Sequence, residues 1–165
     1  MDTIKCIRGR RSIRNYIDQE IDYGLLQQLL KDTVWAPSGK NRQPWKFKIV
    51  TDKELMKSFS KLSINLKWLK DAPCFIFVFL DKSISYDYIK DVQSCGALIQ
   101  TMLLCATSYG LSSCWVGEIL NISTKIMEFL EISDVNFELM ALVVLGYSEK
   151  ETVISTRKNI DDFII

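Results

Sequence analysis

Two stretches constrain the fold more than anything else in the chain: CFIFVFL, from Cys74 to Leu80, and FELMALVVLGY, from Phe137 to Tyr147. A strand with one face in water alternates apolar and polar side chains, whereas a run that is apolar at nearly every position has to be covered on both faces. Both stretches therefore read as central strands. Each demands helices above and below the sheet.

The pattern supplies those helices. Asp2 or Thr3 can cap a short helix running toward Gly9. From Asp22 to Ala36, Leu25, Leu26, Leu29, Leu30 and Val34 recur at helical spacing until Pro37-Ser38-Gly39 stops them. Trp45 to Thr51 alternates as a half-buried strand does, and Asp52 to Leu69 reads as one amphipathic helix ended before Pro73. The longest pattern, Tyr86 to Tyr109, carries Ile89, Val92, Gly96, Ile99, Leu103 and Ala106 along one stripe. Its second half is apolar nearly all round, which suits a core or a subunit interface. Gly110 ends it, SSCWVG follows as a short strand or loop, and Ser123 to Leu130 can form another short helix. Strands alternate with helices without repeat or linker, so residues 1–165 are expected to form one domain, an α/β or α+β layer sandwich. With 165 residues, the chain is long enough to bury about two-thirds of its unfolded surface. Phe163, Ile164 and Ile165 at the end are too apolar to stay in water and are expected to dock on a neighbour.

The opening MDTIKCIRGR lacks the apolar core of a signal peptide, and the longest apolar runs fall far short of the ~20 residues that span a bilayer. A cytoplasmic protein without a membrane partner is expected. The five cysteines, Cys6, Cys74, Cys95, Cys105 and Cys114, show no CxxC spacing and mostly sit in apolar sequence, as buried free thiols do. The chain has no histidine, which excludes His-based metal sites and Ser-His or Cys-His catalysis. Enzyme chemistry here would have to come from a cofactor.

Charge is nearly balanced, 21 Lys+Arg against 20 Asp+Glu, yet four of the six arginines crowd into RGRRSIR, Arg8 to Arg14. Guanidinium forks suit phosphate and carboxylate, at about 1.5 to 3 kcal/mol per charged hydrogen bond. Arg42 and Arg157 lie in other short polar segments, so arginines far apart in sequence could meet around one anion. A nucleic-acid face would need interleaved aromatics and a wider basic field, and no nucleic-acid partner is expected. APSGKNRQPW, Ala36 to Trp45, places Ser38, Asn41 and Gln43 beside a glycine between a helix end and a strand. STRKNI brings Arg157 and Lys158, and SCWVG brings Trp115 and Gly117 after the long helix. Each segment alone has a plain structural reading: a solvated loop, a helix-stop turn, a surface charge pair, or core.

Their order is more telling. RRSIR, then APSGKNRQPW, DAP before an apolar strand, GLSSCWVG after a long helix, and LGY followed by RK resemble the nitroreductase family of FMN-dependent oxidoreductases over essentially the whole chain. The resemblance implies an α+β fold, a three-layer α-β-α sandwich around a mixed, largely antiparallel sheet, in an intertwined homodimer with two sites at the interface. It assigns Arg10, Arg11, Ser12 and Arg14 to the FMN phosphate, ribityl chain and pyrimidine edge, and Arg157 and Lys158 to the phosphate. By the same likeness Pro37, Ser38 and Gly39 of one subunit line the other's flavin ring, with Asn41 and Gln43 hydrogen-bonding nearby. Trp115, Val116 and Gly117 lie along the ring's reactive edge.

The implied activity is a ping-pong transfer from NADH or NADPH through the flavin to a small acceptor, nitroaromatic or quinone in type, with no catalytic side chain and no metal. Larger members carry an insertion over the substrate, whereas WLKDAPCFIFV runs almost directly into the strand, so an open pocket is expected. A flavin-binding protein of the same fold, acting as a carrier or a specialised flavin enzyme without general nitroreductase activity, is the alternative.

Overall fold

The computed structural model describes residues 2–149 and 155–165. Helix α1 (Thr3–Gly9) and helix α2 (Tyr23–Thr33) precede strand β1 (Trp45–Val50), helix α3 (Lys53–Ser60) and strand β2 (Cys74–Asp81). The long helix α4 (Tyr88–Ser108), strand β3 (Ser112–Val116), helix α5 (Ser123–Phe129) and strand β4 (Phe137–Gly146) complete the framework. Four of these helices start on an aspartate: Asp2, Asp22, Asp52 and Asp87 each accept a hydrogen bond from the amide three residues on. Such a cap contributes about 1 kcal/mol. Gly110, at φ 75°, turns the chain out of α4 in the left-handed region that a side chain resists.

The sheet has the order β1-β2-β4-β3 and every strand pair is antiparallel. The two strands that demanded cover on both faces are thus the two central ones. All eight residues of β2 are buried. Phe75, Phe77 and Phe79 face one layer, formed by α3, α5 and a 3-10 segment, Ile64–Asp71, while Cys74, Ile76 and Val78 face α2 and α4. Across from them Val78 pairs with Ala141 and Phe79 with Leu139, leaving Met140 as an extra residue in β4. That bulge reverses the strand's alternation, so Leu139 and Leu142 serve one layer and Ala141 and Val143 the other.

Three boundaries differ from the sequence pattern. Asp52–Leu69 is two elements rather than one helix. Lys61 closes α3, and a 3-10 segment starts after Ser63, whose hydroxyl accepts from the Asn65 amide at 3.3 Å. The serines there offer the backbone partners outside the helix. Helix α2 stops at Thr33, three residues before Ala36, with the buried Thr33 hydroxyl donating to Leu29 O at 2.7 Å. Helix α4 starts at Tyr88, because Asp87 rather than Tyr86 provides the cap.

Residues 155–165 are exposed, Phe163 and Ile164 by about two-thirds of their surface, so the expected docking of this end is not made within the chain. Among the described residues no helix is long and apolar enough to cross a membrane.

Candidate functional site

Past α1 the arginine arm lies along the free edge of β3. Ser12 pairs with Ser113 in a parallel bridge, and the Ile13 amide donates to Ser113 O at 2.9 Å. Tyr16 donates its hydroxyl to Ile13 O at 2.7 Å, and burial pushes its ionisation far up, so it remains a donor at any ordinary pH. Arg11 folds back onto its own backbone, donating to Arg8 O at 2.6 Å and Arg10 O at 2.8 Å. Arg14 extends over the Trp68 ring, 5.9 Å from its centre. Cys114 lies beneath the arm. Burial pushes its thiol up, while Arg14, Arg10 and the Ser12 hydroxyl pull the other way and offset only part of the rise.

The arm and the end of β3 enclose a cleft of about 280 Å³, lined by Arg14, Asn65, Trp68 and Cys114 through Glu118. Asn65 donates to Glu118 Oε1 at 2.9 Å. The structure therefore brings Arg14 together with Trp115, Val116 and Gly117, segments a hundred residues apart in sequence. It adds Asn65, Trp68 and Glu118, which sequence reasoning missed. The lysine-rich stretch around Trp68 carries no motif, and reading it as a regular helix hid its approach to the cleft.

Pro37, Ser38 and Gly39 line a different, shallower cleft of about 360 Å³ with Tyr86, Lys90, Gln93, Ser94 and Ala97. In this loop Lys40, Asn41 and Gln43 all have positive φ, 53°, 54° and 51°. Each such residue costs on the order of 1 kcal/mol or more, and clusters of them mark functional loops. Ser38 Oγ accepts from the Gln43 amide at 3.0 Å, and the Gln43 side chain donates to Asn41 O at 3.3 Å. Arg157 and Lys158 lie in the exposed tail, where Arg157 donates to Thr156 O at 2.8 Å and to Ser155 Oγ. One chain thus carries two separate clefts, one cationic and one built by the strained loop. A third and larger cavity of about 640 Å³ lies between α4, α5 and β4 and shares Trp115 with the cationic cleft.

The cationic cleft suits a phosphorylated, hydroxylated ligand with a flat ring. Arg14 offers a planar guanidinium fork, and Trp68 and Trp115 offer aromatic faces. At Gly117 an added Cβ would meet nothing within 4 Å, so backbone there is open to a close ligand. At about 280 Å³ the cleft falls just below the ~300–1,000 Å³ that usually encloses a cofactor-sized ligand.

An antiparallel α+β sandwich whose sheet edge carries a cationic, aromatic-walled cleft is the class of protein these features define. The chain belongs to the nitroreductase family, whose model matches residues 7–66 and 58–147. An Archaeoglobus fulgidus protein named NADH dehydrogenase/NAD(P)H nitroreductase is 35% identical over 91% of this chain and 87% of its own length. A Bacillus subtilis FMN reductase [NAD(P)H] is 26% identical over 87% of this chain, a match spanning 65% of that protein. Among solved structures, a nitroreductase of Desulfovibrio desulfuricans crystallised with FMN superposes with a TM-score of 0.94 at 29% identity, covering 100% of this chain and 96% of that one.

Proposed function

We propose that the protein is an FMN-dependent oxidoreductase that moves hydride from NADH or NADPH to a small organic acceptor, nitroaromatic or quinone in type, in a ping-pong cycle. The observation that carries this reading is the cleft in which the Arg14 guanidinium, the Trp68 ring and the Trp115–Gly117 backbone converge. The FMN reductase name of the Bacillus relative and the FMN bound in the Desulfovibrio structure support it.

When bound, the isoalloxazine ring supplies the hydride chemistry. The chain's own residues bind and orient. Arg10, Arg11, Ser12 and Arg14 would together address the phosphate, the ribityl chain and the pyrimidine edge, and Arg157 and Lys158 the phosphate. Trp115, Val116 and Gly117 flank the reactive edge with backbone. Pro37, Ser38, Gly39, Asn41 and Gln43 complete the site from a second copy, in a homodimer. Two clefts that lie apart on one chain, each too small or too open alone, become one site when two chains meet about a two-fold axis. The exposed Phe163 and Ile164 then have a neighbour to dock on. Hydride transfer needs position more than proton movement, so no side chain is assigned as acid or base. We place the enzyme in the cytoplasm.

The test is the visible spectrum of the purified protein, identification of the chromophore released on denaturation, and reconstitution with FMN if the protein is colourless. Bound FMN that bleaches rapidly under NADH or NADPH supports the enzyme. Bound FMN that neither reductant bleaches favours a carrier, and a protein that refuses FMN removes the proposal.

A further inference from the structure

The loop at Ser38–Gln43 cannot hold its shape by itself. Its three left-handed residues, Lys40, Asn41 and Gln43, all carry a Cβ, and such angles persist only where the surroundings enforce them. The hydrogen bonds within the loop, from the Gln43 and Asn41 amides to Ser38, close it on itself without tying it to the body. The ties come from the start of α4.

Ser94, buried in α4, donates its hydroxyl to Lys90 O at 2.8 Å and accepts from the Gly39 amide at 3.4 Å. Tyr86, in the turn before α4, packs directly against Gly39. A Cβ built at Gly39 would come within 2.8 Å of the ring's Cε1 and 2.9 Å of its Cζ. Residue 39 is thus glycine for reasons of space rather than backbone angle. The same ring receives Lys40 Nζ at 4.8 Å from its centre and Lys90 Nζ at 5.6 Å, one cation from the loop and one from the helix.

Tyr86 is itself fixed. Asp91, wholly buried in the first turn of α4, accepts at Oδ2 from the Ser85 hydroxyl at 2.7 Å and from the Tyr86 and Asp87 amides at 2.9 and 3.3 Å. All three donors meet Oδ2, while Oδ1 is buried without a hydrogen-bond partner among the described residues; three donors on one oxygen hold the turn in a single shape. Asp87 in turn pairs with Lys90 at 2.9 Å. Tyr86 belongs to neither hydrophobic cluster of the fold, so core packing does not account for the arrangement.

We propose that Tyr86 is a positioning residue: its ring, set by Asp91, clamps the Ser38–Gln43 loop in the geometry with which that loop meets the cofactor. The cofactor half of this statement rests on the function proposed above. The clamp itself does not.

The experiment compares wild type, Tyr86→Phe, Tyr86→Ala, Gly39→Ala and the Tyr86→Ala/Gly39→Ala double variant. In cofactor-free protein, amide hydrogen exchange across Gly39–Gln43 is expected to speed up about tenfold in Tyr86→Ala and to stay at the wild-type rate in Tyr86→Phe, which keeps the ring. Gly39→Ala, which pushes the ring aside, should match Tyr86→Ala, and the double variant should be no faster than either, because both changes break one contact. The dissociation constant for FMN should rise about tenfold in the same pattern, with global unfolding midpoints near wild type. Unchanged loop exchange in Tyr86→Ala overturns the clamp, as do additive effects in the double variant. A released loop with unchanged FMN affinity overturns the positioning role. If wild type itself does not bind FMN, the functional proposal fails separately, and the exchange data still decide the clamp.

Discussion

The Arg14 guanidinium lies 5.9 Å from the centre of the Trp68 ring, so a cation of the N-terminal arm is held by an aromatic from the segment joining α3 to β2. This contact walls the cationic cleft and presets Arg14 before any ligand arrives. Arg14→Ala removes charged hydrogen bonds and is expected to weaken FMN binding by about ten- to a hundredfold. Trp68→Ala leaves the charge but frees it, and a loss of about two- to fivefold is expected, in line with an exposed cation–π contact. Fluorescence titration of apoprotein with FMN measures both. Equal losses in the two variants would contradict a merely supporting role for Trp68.

The central strands were legible because a run apolar on both faces has only one kind of home, and the cap at Asp2 was legible because its chemistry is local, whereas the cap at Asp87 was missed. Arg14 and Trp115–Gly117 could be nominated as partners only through the family likeness, since nothing local links an arm at residue 14 to a strand end at residue 116. The break after Ser60 was hidden because Met56, Phe59, Leu66 and Leu69 keep a spacing compatible with one helix, while the interruption comes from serine hydroxyls competing for the backbone. The bulge at Met140 leaves no trace in an unbroken apolar run. The left-handed angles at Lys40 and Gln43 were invisible as well, because neither residue type favours them. The contacts that reach this loop, from Ser94 and Tyr86 to Gly39, come from a distant part of the chain.

Phe59 centres the aromatic cluster of one layer, with ring centres 5.6 Å from Phe75, 5.2 Å from Phe77 and 5.8 Å from Phe129, all edge-on. It joins α3 to β2 and α5, so truncation opens a cavity that three elements share. Phe59→Ala is expected to cost about 3 to 5 kcal/mol. For a chain of this size that lowers the melting temperature by roughly 6 to 20 °C, readable by calorimetry. A shift of only a degree or two would mean that the layer collapses to fill the space.

Asp81, at the end of β2, accepts at Oδ1 from the Ser83 hydroxyl at 2.5 Å and the Ser83 amide at 3.0 Å, and lies 3.6 Å from Lys46 Nζ. The Ser83 hydroxyl above all, with its amide and Lys46, holds the carboxyl below its usual range against the opposing effect of burial. A depressed carboxylate stabilises the fold fully above its unfolded value, about 3.9, and that contribution is lost as pH falls through the lower folded value. The affected window is therefore below about pH 4. Urea midpoints measured across this range should fall less steeply in Asp81→Asn than in wild type. Parallel curves would show that Asp81 carries no part of the acid response.

The proposed sharing of one site between two chains makes a prediction that no single variant can. Arg14→Ala damages the cationic cleft, and Asn41→Ala/Gln43→Ala damages the loop, which in the proposed dimer serves the other chain's cleft. Each homodimer then has two damaged sites. If the two proteins are unfolded together and refolded at equal concentration, about half of the dimers are mixed, and each mixed dimer has one site with both halves intact and one with neither. About a quarter of all sites should regain wild-type FMN affinity, seen as a tight phase in a titration that neither parent shows. Sites formed within one chain would give no such phase, because every chain in the mixture carries a defect of its own.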